Sequence, residues 1–316
     1  MSDQPEQPLE DQVMHRVDDQ VAWITLNRPE VRNAITPDQR NRVIDLLEEA
    51  SAALDVRAVV LTATGKGFCT GADLRGGTRR PAPARPAGAP DRVMGEAARV
   101  IRRGAQRLIG AVLDCEKPVI AAVNGTAAGI GAHLAFACDL VVAAEDARFI
   151  EVFVRRGIAP DAGGAYLLPR LIGPQKAKEL FFFGDDLSAA EAEELGLVNR
   201  VVPSAELEQT ASALAGRLAR GPTKALGMAK WLLNRSLDSD RQTAFDDEAW
   251  AQELITGTVD CGEGLRSFAE RRPHAPEAGG QAGGDNRGDG NEGRGIHDIL
   301  RVRCWITSRG LVRARF

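Results

Sequence analysis

Three glycine-containing segments hold the residues best suited to chemistry. They are Gly65 to Leu74 (GKGFCTGADL), Asn124 to Leu140 (NGTAAGIGAHLAFACDL) and Arg155 to Gly173 (RRGIAPDAGGAYLLPRLIG). Glycine allows a backbone to approach a ligand closely, but it also serves ordinary tight turns and close packing. Each segment alone is therefore weak evidence for a site, and a site is indicated only by the three segments in combination.

Two ionisable side chains in these segments could transfer protons. Asp161 stands in a Pro-Asp-Ala-Gly-Gly turn, and a single carboxylate can move a proton between two carbons because it returns what it receives. The alternative is that Asp161 is only the acceptor of an Asx-turn. His133 has an ordinary pKa of about 6.5, so it could act as a second acid or base, or it could be a satisfied core side chain.

Alternating strands and helices are predicted to position these segments. Buried strands are predicted over 21–26, 58–62, 118–123 and 140–143, and helices over about 91–113 and 129–138. Another helix begins after Thr36, with Pro37 in the first turn and Gln39 completing a capping box. Continuous apolar strands alternating with helices are typical of a parallel sheet covered by helices, so the predicted fold class is α/β.

Helices dominate the prediction beyond Gly173. Ser188 and Glu191 form a second capping box, and Gly196 is a plausible helix end. Further helices are predicted over 204–220, 223–235 and 240–255, which indicates an all-helical second part. The Pro/Arg-rich stretch 76–90 and the Gly-rich stretch from Ala275 are predicted to be unfolded, because neither can bury enough apolar surface.

Composition gives general limits on function. The formal net charge of -4 gives the whole chain no attraction to nucleic acid or to an anionic membrane, although five arginines in the last stretch leave an opening for a basic arm. We find no secretory signal and no run of about 18 apolar residues, so no membrane contact is expected. The five scattered cysteines are expected to be reduced thiols, which favours a cytoplasmic location.

In order, spacing and chemistry, the three segments resemble the crotonase (enoyl-CoA hydratase/isomerase) superfamily. The resemblance runs from about Val13 to His274 and includes NRPEVRNA, GFCTGADL, GIAPDAGG, LSAAEAEELGLVNRVV and GLRSFAERR. It implies a spiral core of ββα units over 1–203, a helical trimerisation region over 204–274 and a tail over 275–316. Homotrimers, commonly paired into hexamers, are the implied assembly.

The resemblance also implies an enzyme that stabilises a thioester enolate. The N–H groups of Ala72 and Ile130 would donate to the thioester oxygen, the second from a helix that Gly129-Ile130-Gly131 opens. CoA would lie along loops 32–34 and 69–75, with Lys66 and Arg75 as candidate phosphate partners. The implied substrate-binding residues are Arg32, Ala34, Lys66, Gly71, Asp73, Leu74, Arg75, Gly129, Gly131 and Phe153.

Two positions depart from the hydratase pattern. His133 and Phe153 stand where hydratases of the superfamily have the two glutamates that activate water, which puts simple hydration in doubt. Glu151 is a conceivable shifted replacement, but an exposed or salt-bridged glutamate beside Arg155 and Arg156 is the commoner situation. Superfamily isomerases carry an acid at the position of Asp161, and the epoxide isomerase of phenylacetate breakdown is nearest in pattern.

The preferred hypothesis is therefore double-bond or ring isomerisation of an acyl-CoA with Asp161 as proton shuttle. Hydration of a 2-enoyl-CoA is one alternative. Another makes Asp161 a nucleophile on an aryl-CoA, as in the related dehalogenases, with His133 as base. A non-catalytic or RNA-associated protein of the same fold is the third. No metal spacing and no dinucleotide fingerprint is present, so no cofactor is expected beyond the CoA of the substrate.

Overall fold

Ten strands, twelve α-helices and three short 3-10 helices lie in the part of the chain that the computed structural model describes, residues 7–74 and 94–272. The strands are β1 (Val13–Asp18), β2 (Val21–Leu26), β3 (Ala58–Ala63), β4 (Gly67–Cys69), β5 (Val119–Val123), β6 (Thr126–Ala128), β7 (Leu140–Ala144), β8 (Arg148–Ile150), β9 (Asp186–Ser188) and β10 (Arg200–Val202). The helices are α1 (Leu9–Gln12), α2 (Pro37–Ala52), α3 (Glu96–Arg103), α4 (Ala105–Leu113), α5 (Ile130–Phe136), α6 (Gly164–Ile172), α7 (Pro174–Phe183), α8 (Ala189–Glu194), α9 (Leu207–Ala219), α10 (Thr223–Ser236), α11 (Arg241–Thr256) and α12 (Val259–Glu270).

The strands form two sheets that the chain visits in turn. The larger sheet has the order β1-β2-β3-β5-β7-β10, parallel except for the β1–β2 hairpin, and the smaller has the order β4-β6-β8-β9. Each of the pairs β3/β4, β5/β6 and β7/β8 places its first strand in the larger sheet and its second in the smaller. The α/β spiral of ββα units is thus confirmed.

The core lies around the central strands of the larger sheet. All five residues of β5 are buried, as expected for a strand covered on both faces. Helix α2 contributes Val43, Ile44 and Leu47, which are buried and lie at helical spacing. Both predicted capping boxes are present, at Thr36 and at Ser188, so these two helices begin where the sequence places their starts.

The helical second part is attached to this core. Helix α9 lies against the larger sheet and buries four side chains, namely Leu207, Ala211, Ala215 and Ala219. The ammonium of Lys230 on α10 donates to the carbonyl of Val112 at 2.8 Å and to the carboxylate of Asp139 at 2.8 Å. Because Lys230 is buried, this ion pair holds α10 against Asp139, which directly precedes β7.

The structure differs from the predicted elements in two respects. The helix predicted over about 91–113 is divided at Gly104 into α3 and α4, and its first three residues lie outside the described part of the chain. A Cβ at Gly104 would lie 2.4 Å from the guanidinium of Arg40 and 2.8 Å from the carbonyl oxygen of Val100, so the close approach needs glycine. The short strands β4, β6, β8, β9 and β10 were not predicted, since strands of three residues show no periodicity.

Several predictions concern residues outside the described ranges. These are Arg75, the loop 76–90 and the tail from 275 onward.

Cys69, Cys115 and Cys138 are buried free thiols, and burial raises the pKa of Cys69 to about 11. Across residues 7–74 and 94–272, none of the helices has the length and apolar character needed to cross a membrane.

Candidate active site

Two backbone turns follow neighbouring parallel strands of the smaller sheet. Cys69 of β4 is paired in register with Ala127 of β6, and Ala72 and Ile130 each come three residues later. Because the carboxyl ends of parallel strands lie at the same edge of a sheet, both turns are at that edge. The sheet register thus brings together the two segments that carry the predicted N–H donors.

Glycine lets these two turns touch. A Cβ at Gly131 would lie 1.9 Å from the carbonyl oxygen of Cys69, and one at Gly71 would lie 3.4 Å from the carbonyl oxygen of Ala128. Gly71 also has φ +105° and Gly129 has φ +54°, which side-chain-bearing residues rarely adopt. The segments 69–72 and 128–131 are therefore in direct backbone contact.

The peptide groups beside Ala72 are fixed by hydrogen bonds to Ile35. The amide of Ile35 donates to Gly71 O at 2.8 Å, and the amide of Asp73 donates to Ile35 O at 3.0 Å. Because the Gly71 carbonyl and the Ala72 N–H belong to one trans peptide group and point in opposite directions, the N–H of Ala72 points away from Ile35. Ile130 is the first residue of α5, where N–H groups have no partner within the helix.

A guanidinium from another loop supports the turn at Ala72. Arg28 donates through Nη1 to the carboxylate of Asp73 at 3.1 Å and to the carbonyl oxygen of Ala34 at 3.2 Å. The Asp73 side chain is only 4% exposed, and its carboxylate forms an ion pair with Arg28. Asp73 thus ties the turn to the loop before α2, and its contact with substrate stays a prediction.

An open cleft of about 390 Å³ lies beside the turn at Ala72. Its lining includes five residues predicted for substrate binding or catalysis, which are Arg32, Ala34, Ala72, Asp73 and Leu74. The exposed Arg156 also lines it and was not predicted to take part. Lys66 is exposed at the opposite end of β4 and does not line this cleft, so its phosphate contact stays a prediction.

His133 lies on α5, three residues after Ile130, and is fully buried. Its Nε2 is 2.9 Å from Oε2 of Glu151. The ring of Phe153 is stacked on the imidazole at a centroid distance of 5.4 Å, and Phe181 meets it edge-on at 6.3 Å. Phe153, predicted to contact substrate, thus contacts the imidazole.

The expectation that Glu151 is exposed or paired with Arg155 or Arg156 is wrong. Glu151 is buried at 4% exposure, and Arg155 instead pairs with Asp186 at 3.2 Å. Phe149 of β8 is buried, and the two-residue alternation continues beyond the strand to Glu151 and Phe153. Following this alternation in the sequence past the strand end is the signal that could have located Glu151 inside.

Asp161 is partly buried in the turn before α6, and its carboxyl group makes no hydrogen bond within the described part of the chain. The turn is closed through the backbone, where the amide of Gly164 donates to Asp161 O at 3.1 Å. Burial raises the pKa of the Asp161 carboxyl, and the nearby His133 opposes this in part. Such a carboxyl is better suited to accept a proton than an ordinary aspartate.

Glycine also brings the Asp161 turn onto His133. A Cβ at Gly164 would lie 2.1 Å from both Nε2 and Cε1 of the imidazole. The Asp161 turn, His133 and Glu151 therefore lie together. Helix α5 carries both His133 and Ile130, so it connects this group to the predicted N–H donor. In the described ranges, no group of three or more His, Cys, Asp or Glu side chains could hold a metal ion.

Comparison with known proteins gives consistent matches over most of the chain. Residues 16–277 match the family model described as enoyl-CoA hydratase/isomerase. The 1,2-epoxyphenylacetyl-CoA isomerase of Escherichia coli is 36% identical over 260 residues, covering 82% of this chain and 96% of that protein. A protein of Rhodobacter capsulatus named "Probable enoyl-CoA hydratase" is also 36% identical, over 261 residues, covering 83% and 96%. The crystal structure of an enoyl-CoA hydratase from Bacillus anthracis superposes with a TM-score of 0.75 at 33% identity, covering 85% of this chain and 100% of that one.

Proposed function

Because the chain belongs to the enoyl-CoA hydratase/isomerase family and is an enzyme of that family, we propose that it isomerises an unsaturated acyl-CoA by proton transfer through Asp161. An acyl-CoA substrate is supported by relatives such as the 1,2-epoxyphenylacetyl-CoA isomerase and by the open cleft beside Ala72. The proposal covers both a double-bond shift and a ring isomerisation.

The thioester oxygen would accept hydrogen bonds from the N–H groups of Ala72 and Ile130. When the Asp161 carboxylate removes a proton from C2, the electron pair of the C–H bond enters the thioester and charge develops on this oxygen. Two fixed donors stabilise that charge without reorganisation. The register of β4 and β6 and the glycine contacts between the two turns support this arrangement.

The same carboxyl group then returns the proton at C4. The electron pair of the dienolate forms the new C–H bond, the double bond moves from C3–C4 to C2–C3, and Asp161 is a carboxylate again. No water is consumed, so the reaction needs one acid/base group rather than two. The observation that carries this proposal is the partly buried Asp161 carboxyl with a raised pKa. It is combined with the absence of glutamate from the two hydratase positions, which hold His133 and Phe153.

CoA binding is proposed along the cleft beside Ala72. Arg32 and Arg156 are exposed cations on its wall and would attract the phosphates of CoA. Leu74, which is also exposed, offers apolar surface to the pantetheine chain. Arg156 joins the predicted binding residues on the strength of this position.

Hydration of a 2-enoyl-CoA is the second candidate function. A crotonyl-CoA hydratase of Syntrophomonas wolfei is 35% identical over 256 residues. The buried Glu151 beside His133 supports this candidate, because a carboxylate and an imidazole could together activate a water molecule. Hydration adds water to the product, whereas isomerisation leaves its mass unchanged.

The test is to incubate the enzyme with a 3-enoyl-CoA and with a 2-enoyl-CoA and to identify the products by mass and by the absorbance of the conjugated thioester. We expect isomerase turnover to fall by about 10²–10⁴-fold in Asp161→Asn, since the base is lost. Asp185→Asn, at an exposed site, is the matched control. Full isomerase turnover in Asp161→Asn would contradict the proposed role, and a product heavier by one water would favour hydration.

A further inference from the structure

His133 and Glu151 form a buried polar pair behind the proposed site. Their side chains are 0% and 4% exposed, and Nε2 and Oε2 are 2.9 Å apart. Burying ionisable groups costs solvation free energy, and apolar residues of similar volume often stabilise a fold equally well. Packing alone therefore does not account for a histidine and a glutamate at these two positions.

The pair satisfies only half of its hydrogen-bonding groups. Nδ1 of His133 and Oε1 of Glu151 are buried and have no partner within the described residues. A half-satisfied pair is a poor structural element, because each unpaired polar atom has lost its water without replacement. Both atoms are acceptors when the pair consists of a carboxylate and a neutral imidazole, so each of them lacks a hydrogen-bond donor.

The contact with Glu151 also fixes which nitrogen of His133 carries the proton. A carboxylate only accepts, so in the neutral imidazole Nε2 holds the hydrogen of the 2.9 Å contact and the lone pair is on Nδ1. The ring cannot turn easily, because Phe153 is stacked on one face at 5.4 Å. Gly164 closes the edge at Nε2 and Cε1, where even a Cβ would collide.

We propose that Glu151 is a positioning residue that keeps the lone pair of His133 on Nδ1, where it accepts an O–H group of the reacting site. This inference rests on the proposed function. Once Asp161 has taken the proton from C2, its carboxyl becomes an O–H donor, and Nδ1 accepts from it directly or through one water molecule. The proton stays on oxygen, so His133 and Glu151 keep their charges and the cycle balances as before.

The first test is Glu151→Gln, which keeps the size and the hydrogen-bonding capacity of the side chain. A glutamine can donate its N–H to Nε2, which allows the opposite tautomer with the hydrogen on Nδ1. We expect kcat to fall by about 10²-fold while KM stays within about twofold, since the substrate contacts are unchanged. Glu194→Gln, at an exposed position, is the matched control and should retain the parent kcat.

The tautomer is read directly from ¹⁵N NMR of the imidazole ring. The expected result is a hydrogen on Nε2 of His133 in the parent enzyme and a substantial Nδ1-protonated population in Glu151→Gln. An unchanged Nε2-protonated ring in the variant, or a kcat within twofold of the parent, overturns the inference.

A double variant separates positioning from stability and remains informative if Glu151→Gln does not fold. His133→Leu with Glu151→Met replaces the pair by apolar side chains of similar size, so we expect a melting temperature at or above that of the parent. The inference predicts that kcat stays about as low as in Glu151→Gln. Recovery of the parent kcat in this stable variant would show that the pair is only structural.

Asp161→Asn distinguishes failure of this inference from failure of the proposed function. Full turnover in Asp161→Asn rejects the proposed function itself. An inactive Asp161→Asn together with a parent-like double variant rejects only the assignment of Glu151.

Discussion

At the scale of single residues, the proposed site combines backbone donors with one carboxyl group that acts as the base. Asp73, which lines the cleft beside Ala72, is paired with Arg28, whereas Asp161 makes no hydrogen bond within the described part of the chain. Burial raises the pKa of Asp161, so a larger fraction of it is protonated at mildly acidic pH than of an ordinary aspartate. This difference in environment assigns different roles to the two acids.

The raised pKa of Asp161 predicts opposite effects of pH on activity and stability. The carboxylate is the active form, so kcat/KM should fall as the pH drops through the raised pKa. Burying the charged form costs stability, so this contribution is absent below the unfolded pKa of about 3.9 and grows as the pH rises through the folded pKa.

Asp161→Asn should therefore melt at a higher temperature than the parent at pH 7, by up to a few degrees, and the difference should shrink toward pH 4. Thermal melts of both proteins across this range check the expectation. A variant that is less stable than the parent at pH 7 would show that the buried charge of Asp161 does not destabilise the folded state.

A second prediction at this scale concerns the N–H group of Ala72. Ala72→Pro removes the donor, and we expect kcat to fall by about 10²–10³-fold. Ala72→Ser keeps the N–H and is the control for the added atoms. Steady-state kinetics with circular dichroism as a check on folding makes the comparison, and equal loss in both variants would indicate a steric effect.

At the scale of elements, the contact between the β4 turn and α5 holds the two donors together. Gly131→Ala places a Cβ 1.9 Å from Cys69 O and must push the two segments apart. We expect a lower melting temperature and a kcat reduced by at least about tenfold, since misplacing the donors weakens stabilisation of the developing charge.

Gly110→Ala is the matched control for Gly131→Ala, because it lies within α4 and its Cβ would meet only Asp114 at 3.9 Å. Alanine is favoured over glycine by roughly 0.5–1 kcal/mol inside a helix, so Gly110→Ala should be neutral or stabilising. If Gly131→Ala behaved in the same way, the backbone contact would not limit the site.

The elements also show what a sequence can and cannot predict. Strand β2 and the starts of α2 and α8 are where the sequence indicates, because local rules of apolar pattern and capping fix them. At the break, Gly104 lies against the guanidinium of Arg40, which is distant in the sequence. The His133–Glu151 contact also joins residues 18 positions apart, and no local pattern specifies such a pairing.

At the scale of the whole molecule, the last helices expose many large apolar side chains. Leu233, Phe245, Trp250, Leu265 and Phe268 are between 51% and 86% exposed on α10, α11 and α12. Apolar surface of this extent is typical of protein–protein contacts. We propose that residues 204–274 form the trimer contact that the family resemblance implies, with hexamers as pairs of trimers.

Light scattering with size-exclusion chromatography tests this assembly. We expect the parent to have three or six times the mass of one chain, and Leu265→Glu with Phe268→Glu to reduce the mass toward that of a single chain. Leu54→Glu is the control. Leu54 follows the end of α2 and is 72% exposed, so this substitution should leave the mass unchanged. A parent that elutes as a monomer would contradict the proposed trimer.

The paired register of Cys69 and Ala127 has a consequence for how this scaffold can change its chemistry. In the proposed mechanism, the first half of the site binds the thioester oxygen through main-chain N–H groups, whose geometry tolerates exchange of most neighbouring side chains. The second half handles the proton and consists of Asp161, His133 and Glu151 on separate helices and loops. Substitutions in the second half can redirect an enolate from one fate to another without dismantling the first. New reactions on such a framework therefore need few mutations, provided that the glycines at the strand ends are kept.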